Sequence, residues 1–375
     1  MALTKYKIGS LIHLIDERND EGLSDFCGIN INKEFMPTVA ATNGLDASKY
    51  KVVRNSRFVY SGMQTGRDKC IRISMYLGNK PIIVSPAYIT FEINALKIIH
   101  PVYFFMLFLS KEKDRLGWFY SDGSIRSNLD WDRFCDIELS LPPLSIQQKY
   151  VDVYQALLAN QKNYEEGLDD LKLTCDAYIE ELRRKIPCQK IGSYLIRSDK
   201  RNETGLLVNS VRGIATSKQL IPTKANMRGV KLDNYKMVYP DQISFVPDTS
   251  RRGDKISLAI NNTESPILVS SISEVFGTVI DKLLPSYLML FFVRSEFDRY
   301  ARFNSWGSAR EVFTFGDMCD VKIPIPDIKT QKAISDIYAV YTERRAINER
   351  LKERIKKICP ILIKGSLDEG ERCRE

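Results

Sequence analysis

Short apolar runs broken by turn residues fill positions 51–84 of the chain. Lys51-Val52-Val53, Arg57-Phe58-Val59-Tyr60, Cys70-Ile71-Arg72-Ile73 and Pro81-Ile82-Ile83-Val84 are separated by Ser61-Gly62, Thr65-Gly66 and Gly78-Asn79. Runs of this length and composition between such turns predict short strands. The pattern returns as Lys236-Met237-Val238, Ser244-Phe245-Val246, Ile256-Ser257-Leu258-Ala259-Ile260 and Pro266-Ile267-Leu268-Val269. Each block is followed by an apolar stretch that opens on proline, Pro101 to Leu116 and Pro285 to Tyr300. Both stretches predict a helix, because proline in the first helical turn has no N–H to lose.

A proline-containing stop follows each of these, Leu141-Pro142-Pro143-Leu144 and Ile323-Pro324-Ile325-Pro326, and a longer period begins. In the first copy Tyr150, Tyr154, Leu157, Gln161, Tyr164, Leu168, Leu171, Cys175, Tyr178 and Leu182 recur at spacings of 4 and 3. In the second the seam is Ile334, Ile337, Tyr341, Arg344, Asn348, Leu351, Ile355, Ile358 and Leu362. Heptad seams of this length predict two helices of roughly 35–40 residues, ~55–60 Å long, that pack on one another. In an antiparallel pair Gln161 falls near Arg344 and Asn348. A polar layer there can fix register, or it marks a centre that is simply less buried.

The two patterns are one pattern repeated. Shifted by 184, residues 101–154 fall without a gap on 285–338, with 17 identities in 54 positions. Among them are Glu112/Glu296, Asp114/Asp298, Arg115/Arg299, Phe119/Phe303, Gly123/Gly307, Ser124/Ser308, Arg126/Arg310, Cys135/Cys319 and Gln147/Gln331. Upstream, at a shift near 185, Gly28-Ile29, Lys33, Pro37-Thr38, Ala40, Gly44 and Tyr50-Lys51 meet Gly213-Ile214, Lys218, Pro222-Thr223, Ala225, Gly229 and Tyr235-Lys236. The expected fold is therefore α+β in two tandem repeats. The divisions are a mixed domain at 1–144, a helix at 145–186, a second mixed domain at 187–326, a second helix at 327–366 and a polar tail at 367–375.

Net charge is +8, with +2 on 1–144, −2 on 145–186, +5 on 187–326 and +3 on 327–375. A positive excess on the globular parts suits a polyanionic partner. The eight cysteines form no C-x-x-C pair, and the repeat-equivalent Cys135/Cys319 and Cys175/Cys359 sit among apolar residues, as reduced core cysteines do. The longest apolar run, Ile98 to Leu109, is too short to span a bilayer, and no signal-peptide pattern opens the chain, so a cytoplasmic location is expected.

Catalytic patterns are missing from the sequence. His13 and His100 do not correspond between the copies, and there is no H-x-x-x-H or Cys/His cluster for a metal. No phosphate loop or dinucleotide fingerprint occurs. The Pro142-Pro143 pair follows leucine, which cannot orient an amine for methyl transfer. What the chain offers instead is loop cations: Arg54, Arg57, Arg67, Lys69 and Arg72 with Tyr60 in the first copy, and Arg228, Lys231, Arg251, Arg252 and Lys255 in the second. Lysine and arginine neutralise phosphates, and arginine also forks onto a guanine edge; the plain alternative is a solvated loop face. The most specific local element is Gly-Ser-x-Arg, at Gly123-Ser124-Ile125-Arg126 and Gly307-Ser308-Ala309-Arg310, among Trp118, Phe119, Tyr120, Phe303 and Trp306. Glycine there allows close backbone approach while serine and arginine donate hydrogen bonds. Otherwise the arginine serves structure, tied to Asp136 or Asp320.

The helix start Leu-Pro-Pro-Leu-x-x-Gln, the preceding Gly-Ser-x-Arg, and Tyr-Lys-x-Val followed by a basic, glycine-containing loop resemble the specificity subunit of type I restriction-modification enzymes. The likeness covers almost the whole chain in both copies. It departs at the second helix start, Ile325-Pro326-Asp327-Ile328-Lys329-Thr330-Gln331, and at Gln147-Gln148. The resemblance implies two target recognition domains, each reading half of a split DNA site. It implies spacer helices packed as an antiparallel coiled coil with pseudo-twofold symmetry, through Tyr150, Leu157, Tyr164, Leu168, Leu171, Tyr178, Ile334, Tyr341, Leu351, Ile355 and Ile358. It also implies no catalysis and no cofactor in this chain. Two methyltransferase subunits using S-adenosylmethionine and two ATP- and Mg-dependent restriction subunits would be its partners. The alternative is a stand-alone regulator of a bipartite operator.

Overall fold

The computed structural model describes residues 3–38, 42, 44–249, 255–307 and 310–372. The chain divides into two units: Met1–Tyr164 with Ile347–Glu375, and Glu165–Ala346. Each unit is thus a mixed domain with one half of each helical region.

In the first unit β1 (Thr4–Lys7), β2 (Ile12–Leu14), β3 (Phe26–Ile29), β4 (Phe35–Pro37), β5 (Lys51–Val53) and β6 (Phe58–Ser61) lead to a single helical turn, α1 (Thr65–Asp68). Then come β7 (Arg72–Met75), β8 (Ile82–Val84), β9 (Ile89–Ile93), α2 (Pro101–Leu107), α3 (Lys111–Tyr120), α4 (Trp131–Asp136), β10 (Glu138–Leu141) and α5 (Leu144–Glu165). Two four-stranded sheets form, ordered β2-β9-β6-β7 and β4-β3-β8-β5, and β1 pairs with β10. Strand β6 is central and buried along its whole length. Its Phe58 lies opposite both Phe91 and Met75, and the Phe58 and Phe91 rings stack at 5.0 Å. Phe104, Phe108, Trp131 and Phe134 complete an aromatic core, each fully buried ring contributing ~1.5–3 kcal/mol.

The second unit repeats this order: α6 (Leu168–Lys185), β11 (Gln189–Lys190), β12 (Leu195–Ser198), β13 (Arg212–Ile214), β14 (Leu220–Pro222), β15 (Lys236–Val238), β16 (Ile243–Phe245), β17 (Leu258–Ile260), β18 (Ile267–Val269) and β19 (Glu274–Thr278). After these come α7 (Pro285–Phe292), α8 (Ser295–Phe303), α9 (Phe315–Cys319), β20 (Lys322–Ile323) and α10 (Ile328–Arg372). Its main sheet, β12-β19-β16-β17, matches β2-β9-β6-β7, whereas the second sheet is two separate antiparallel pairs, the β13-β14 hairpin and β15-β18. A single parallel bridge, Val211 to Leu268, stands where the first unit has the β3-β8 pairing.

The apolar stretches that open on proline are two helices each. Ser110 caps α3, its Oγ accepting from the Lys113 N–H at 3.3 Å, and so ends the run begun by Pro101. The first heptad region is likewise broken. Gly167 takes φ +78, a left-handed conformation favoured by glycine, between α5 and α6. Beyond it the buried positions are Cys175, Ile179 and Leu182, while Tyr178 is 45% exposed, which corrects its assignment to the packing seam. Ile179 takes that place in the core.

Within the first unit, α5 runs antiparallel to residues 347–372 of α10. Lys149 and the Tyr150 hydroxyl meet Glu369 at 2.9 and 3.1 Å, and Tyr103 meets Ser366 at 2.6 Å. Gln161 donates to Asn348 at 2.7 Å, the expected polar layer. Val151, Tyr154, Leu157, Ile355, Cys359 and Ile363 join the aromatic core, and Leu351 and Ile358 are half-buried. In the second unit Ile179, Leu182 and Ile334 belong to one core, Leu168, Leu171 and Tyr341 are half-buried, and Tyr341 packs against Tyr338 at 5.7 Å. Tyr164, the last residue of the first unit, is half-buried as well.

Several polar anchors occur in both units. Gln147 accepts from the His100 N–H and donates to the carbonyls of Ile98 and Pro142, all at 2.9 Å. Gln331 accepts from Leu284 N–H at 2.9 Å and donates to Lys282 and Pro326 at 2.8 Å. The glutamine of each helix start thereby satisfies a backbone N–H at the entry to α2 or α7. Gly9 and Gly192 lie so close to Cys135 and Cys319 that an added Cβ would sit 3.0 and 2.8 Å from the cysteine Cβ, which keeps both positions small. The seven described cysteines are all free.

Candidate nucleic-acid interface

Helix α3 is held from beneath by a buried ion pair. Lys33 Nζ lies 2.6 Å from Asp114 Oδ1, which also accepts from the Ile71 N–H at 3.0 Å, and the ammonium donates to the Phe108 carbonyl. The second unit repeats the ion pair and the amide bond to its aspartate, while the lysine turns to a different carbonyl. Lys218 Nζ is 2.5 Å from Asp298 Oδ1 and 2.7 Å from the Ile256 carbonyl, and Ile256 N–H donates to Asp298 at 3.1 Å. Burial pushes the Lys218 ammonium down, and the Asp298 carboxylate works against that shift. With Asp114 turned inward, Glu112, Arg115 and Phe119 share another face of α3, where all three are exposed. Phe119 is 79% exposed and its counterpart Phe303 81%.

Two loops close against each other beside this face. Leu129 N–H donates to the Gly62 carbonyl at 2.9 Å, Gly66 N–H to the Ser127 carbonyl at 2.9 Å, and Gln64 N–H to Asn128 Oδ1 at 3.0 Å. A Cβ on Gly66 would come within 2.6 Å of Ser127 Cβ, so the clamp needs glycine there. Asp122 Oδ1 accepts from the Ser124 N–H, the Ser124 hydroxyl and the Asn128 N–H at 3.1, 2.6 and 3.0 Å. Those bonds hold the Asp122 carboxyl below its ordinary range. The clamp brings the exposed Arg67 and Lys69 onto the same surface as Ser124 and Arg126. Lys69 Nζ sits 4.7 Å above the Trp118 ring, a cation–π contact that keeps the ammonium at the surface.

The second unit builds the same clamp. Phe313 N–H donates to the Pro247 carbonyl at 2.9 Å and Thr249 N–H to the Glu311 carbonyl at 3.0 Å. Trp306 and Val312 exchange backbone bonds at 3.2 and 3.0 Å around Gly307, whose φ of +138 and close approach to the Arg310 carbonyl exclude a side chain. Arg310, Phe303, Trp306 and Lys255 are exposed. Arg251, Arg252 and Ser308 lie outside the described residues. Arg228 and Lys231 are exposed on another loop, between β14 and β15. Neither arginine of the repeated Gly-Ser-x-Arg element is tied to the aspartates considered for it. Lys7 meets Asp136 at 2.8 Å and Lys190 meets Asp320 at 2.6 Å.

Besides Arg228 and Lys231 on their separate loop, four of the expected contact residues are buried or paired within the fold. Tyr60 is fully buried and its hydroxyl donates to the Leu129 carbonyl at 2.6 Å, which places it in the core beneath the clamp; burial pushes its phenol well up. Arg57 is buried too, 2.7 Å from Glu17 and 2.9 Å from Glu92. Arg54 is half-buried and forks onto Glu17 at 2.9 and 2.7 Å, with Glu21 at 2.5 Å. Arg72 pairs with Asp68. Their carboxylate partners neutralise them within the fold. Arg115, paired with Glu112 at 2.8 Å in an exposed ion pair, and Arg299 lie exposed one helical turn before Phe119 and Phe303, outside the expected contacts. Their identity between the two copies was the signal that marked them.

The profile of the type I restriction modification DNA specificity domain matches residues 16–170 and 249–357, more than half of the chain. No curated protein matches the sequence. Among solved structures, a type I restriction-modification S subunit from M. genitalium is similar with a TM-score of 0.65 at 10% identity, over 97% of this chain and 96% of that one. The HsdS subunit from Thermoanaerobacter tengcongensis matches at 15% identity over 99% and 97% of the two chains, with a TM-score of 0.35. At these identities the first likeness concerns the fold alone, and the second is too distant in shape to add to it. The fold is that of an S subunit, and the profile match extends into both units: the chain belongs to the type I restriction-modification DNA specificity family.

Proposed function

We propose that this chain is the non-catalytic specificity subunit of a type I restriction-modification complex, in which each unit reads one half of a bipartite site in double-stranded DNA. The observation that carries the reading is the duplicated clamp. Each copy presents an exposed arginine from its loop beside a nearly bare phenylalanine, over a buried lysine–aspartate pair that fixes the helix beneath. Cations at a rigid surface suit phosphate and base contacts. The loops differ between the units, so the two half-sites differ. Methyl transfer belongs to two methyltransferase subunits that bind S-adenosylmethionine, and cleavage to two ATP- and Mg-dependent restriction subunits. The chain scaffolds both pairs. No helix among the described residues is long and apolar enough to cross a membrane, and the reading places the complex in the cytoplasm with its DNA.

Expression of the full chain with and without its methyltransferase subunit, followed by methylation mapping of the host genome, tests this. Adenine methylation at two short, different sequences separated by a fixed gap is expected only when both are present. Methyl transfer by the purified chain alone, or modification without a split site, overturns the proposal.

A further inference from the structure

The identities between the copies separate into two sets. Most are buried or are structural anchors, such as Tyr103/Tyr287, Phe108/Phe292, Asp114/Asp298 and Gln147/Gln331. Among the identities between 101–154 and 285–338, the exposed ones outside Asp136/Asp320, which pair with lysines, and Asp152/Asp336 on α5 and α10 gather on one stripe among the described residues. That stripe is Arg115/Arg299, Phe119/Phe303, Gly123/Gly307 and Arg126/Arg310, with Glu112 exposed beside it and its counterpart Glu296 half-buried against Arg183 and Arg294. Its neighbours have diverged: Trp118 faces Arg302 in the alignment, Tyr120 faces Asn304, and Ile125 faces Ala309. A single exposed apolar side chain needs no explanation. The same phenylalanine, about four-fifths exposed on the last turn of the same helix in both units, requires one.

A phenyl ring has no donor or acceptor. It reads no polar pattern on a base edge and holds no phosphate. Two roles on DNA remain: contact with a thymine methyl, or entry between neighbouring base pairs. The first requires thymine at the same place in both half-sites, whose surrounding readers have diverged. The second tolerates any sequence, because every base has a π face. The ring also has its electrostatic partners in place. Arg115, which meets Glu112 at 2.8 Å on the solvent face, and Arg299 precede it by one turn, and Arg126 and Arg310 follow on the clamped loop, so cations able to meet phosphate flank the ring in sequence on both sides. The lysine–aspartate pair beneath each helix keeps the ring from retreating as it enters.

Resting on the reading of this chain as a DNA-recognition subunit, we infer that Phe119 and Phe303 are wedges, each inserted into the base stack at the half-site of its own unit. The test uses the full chain and duplexes that it enriches from a randomised library. Failure to enrich any split sequence overturns the functional reading itself. With an enriched duplex, 2-aminopurine is moved step by step through each half-site. The parent should raise its fluorescence several-fold at one step in each. Phe119→Ala should abolish the rise in one half-site, leave the other, and weaken binding roughly tenfold; Phe303→Ala should do the reverse, and Phe119→Trp should retain the rise. Equal thermal unfolding of parent and variants is expected, since both rings are mostly exposed. A split site bound without any fluorescence rise, a rise untouched by either alanine variant, or an affinity loss confined to duplexes with thymine at one position overturns the wedge.

Discussion

In the first unit Arg57 lies buried between Glu17 and Glu92, and Arg54 shares Glu17. The matching positions of the second unit hold Gln242, Lys200, Gly277 and Tyr239. There the Tyr239 N–H donates to Gln242 at 2.9 Å, and Lys200 lies 5.1 Å from the Tyr239 ring centre. Four residues have changed together. A lone charge left inside would be costly, so a buried ionic network is kept whole or exchanged whole. The pair Lys33–Asp114 and its counterpart Lys218–Asp298 took the other course and kept the same partners. The difference is one of duty. The exchanged network joins a strand edge to its neighbours, whereas the retained pair ties the β3–β4 or β13–β14 hairpin to the helix that carries the exposed phenylalanine.

Breaking the retained pair should have the largest effect. Lys33→Met or Lys218→Met leaves a carboxylate with no cation in the fold interior and should cost about 3–5 kcal/mol. Urea unfolding measures it. The second unit should lose more, because Asp298 is the more buried of the two aspartates, at 10% against 20% side-chain exposure. Converting the aspartate as well, in Lys218→Met with Asp298→Leu, should recover much of the loss. Single variants as stable as the parent would show that the pair does not hold the helix.

The exchanged network predicts a smaller effect with a pH signature. Burial works to raise the Glu17 carboxyl, but Arg54 and Arg57 outweigh it and hold it below its ordinary 4.5. A carboxyl depressed on folding stabilises the fold above that ordinary value, and the contribution fades as pH falls through the folded value. Glu17→Gln should therefore cost roughly 1.5–3 kcal/mol at pH 7 and progressively less as pH drops below 4.5. Gln242→Ala, at the matching place in the second unit, should show no such decline. A Glu17→Gln deficit that stays constant down to the acid limit would assign it to packing.

Much of this architecture could be read from the order of residues. The short strands follow from apolar runs bounded by turn residues, and the helical seams from heptad patterns, which report which face is wet. The breaks did not show in the same way. Ser110 ends one helix and Gly167 another, yet the apolar period runs through both, so a pattern that counts faces cannot see the interruption. Tyr178 fits the seam by spacing, but the helix restarts after Gly167 and Ile179 takes the buried place. For the site, local charge misled where partners are distant in sequence. Arg54 and Arg57 find Glu17 nearly forty residues earlier, and no local window holds both. Arg115 and Arg299 were legible only through the repeat, because on a single copy they look like ordinary surface arginines.

The smallest effect belongs to the exposed cations and separates the two kinds of arginine. A cation already neutralised inside the protein releases no counterion when DNA binds, whereas a free one does. Arg67 and Lys69 are exposed on the clamp, while Arg72 is paired with Asp68 only a few residues away and Arg54 with Glu17 and Glu21. Changing both Arg67 and Lys69 to alanine should reduce the slope of log affinity against log salt by up to ~1.8, about 0.9 for each phosphate no longer neutralised, and weaken binding about threefold per residue at moderate salt. Arg72→Ala and Arg54→Ala should leave the slope unchanged. Titration of the full chain with labelled duplex from low to moderate salt measures all three. If the slope falls equally for the paired and the free residues, internal pairing does not decide which cations meet DNA. If it falls for none, the clamp face does not touch the phosphates, and the basic loop between β14 and β15 that bears Arg228 and Lys231 becomes the surface to test.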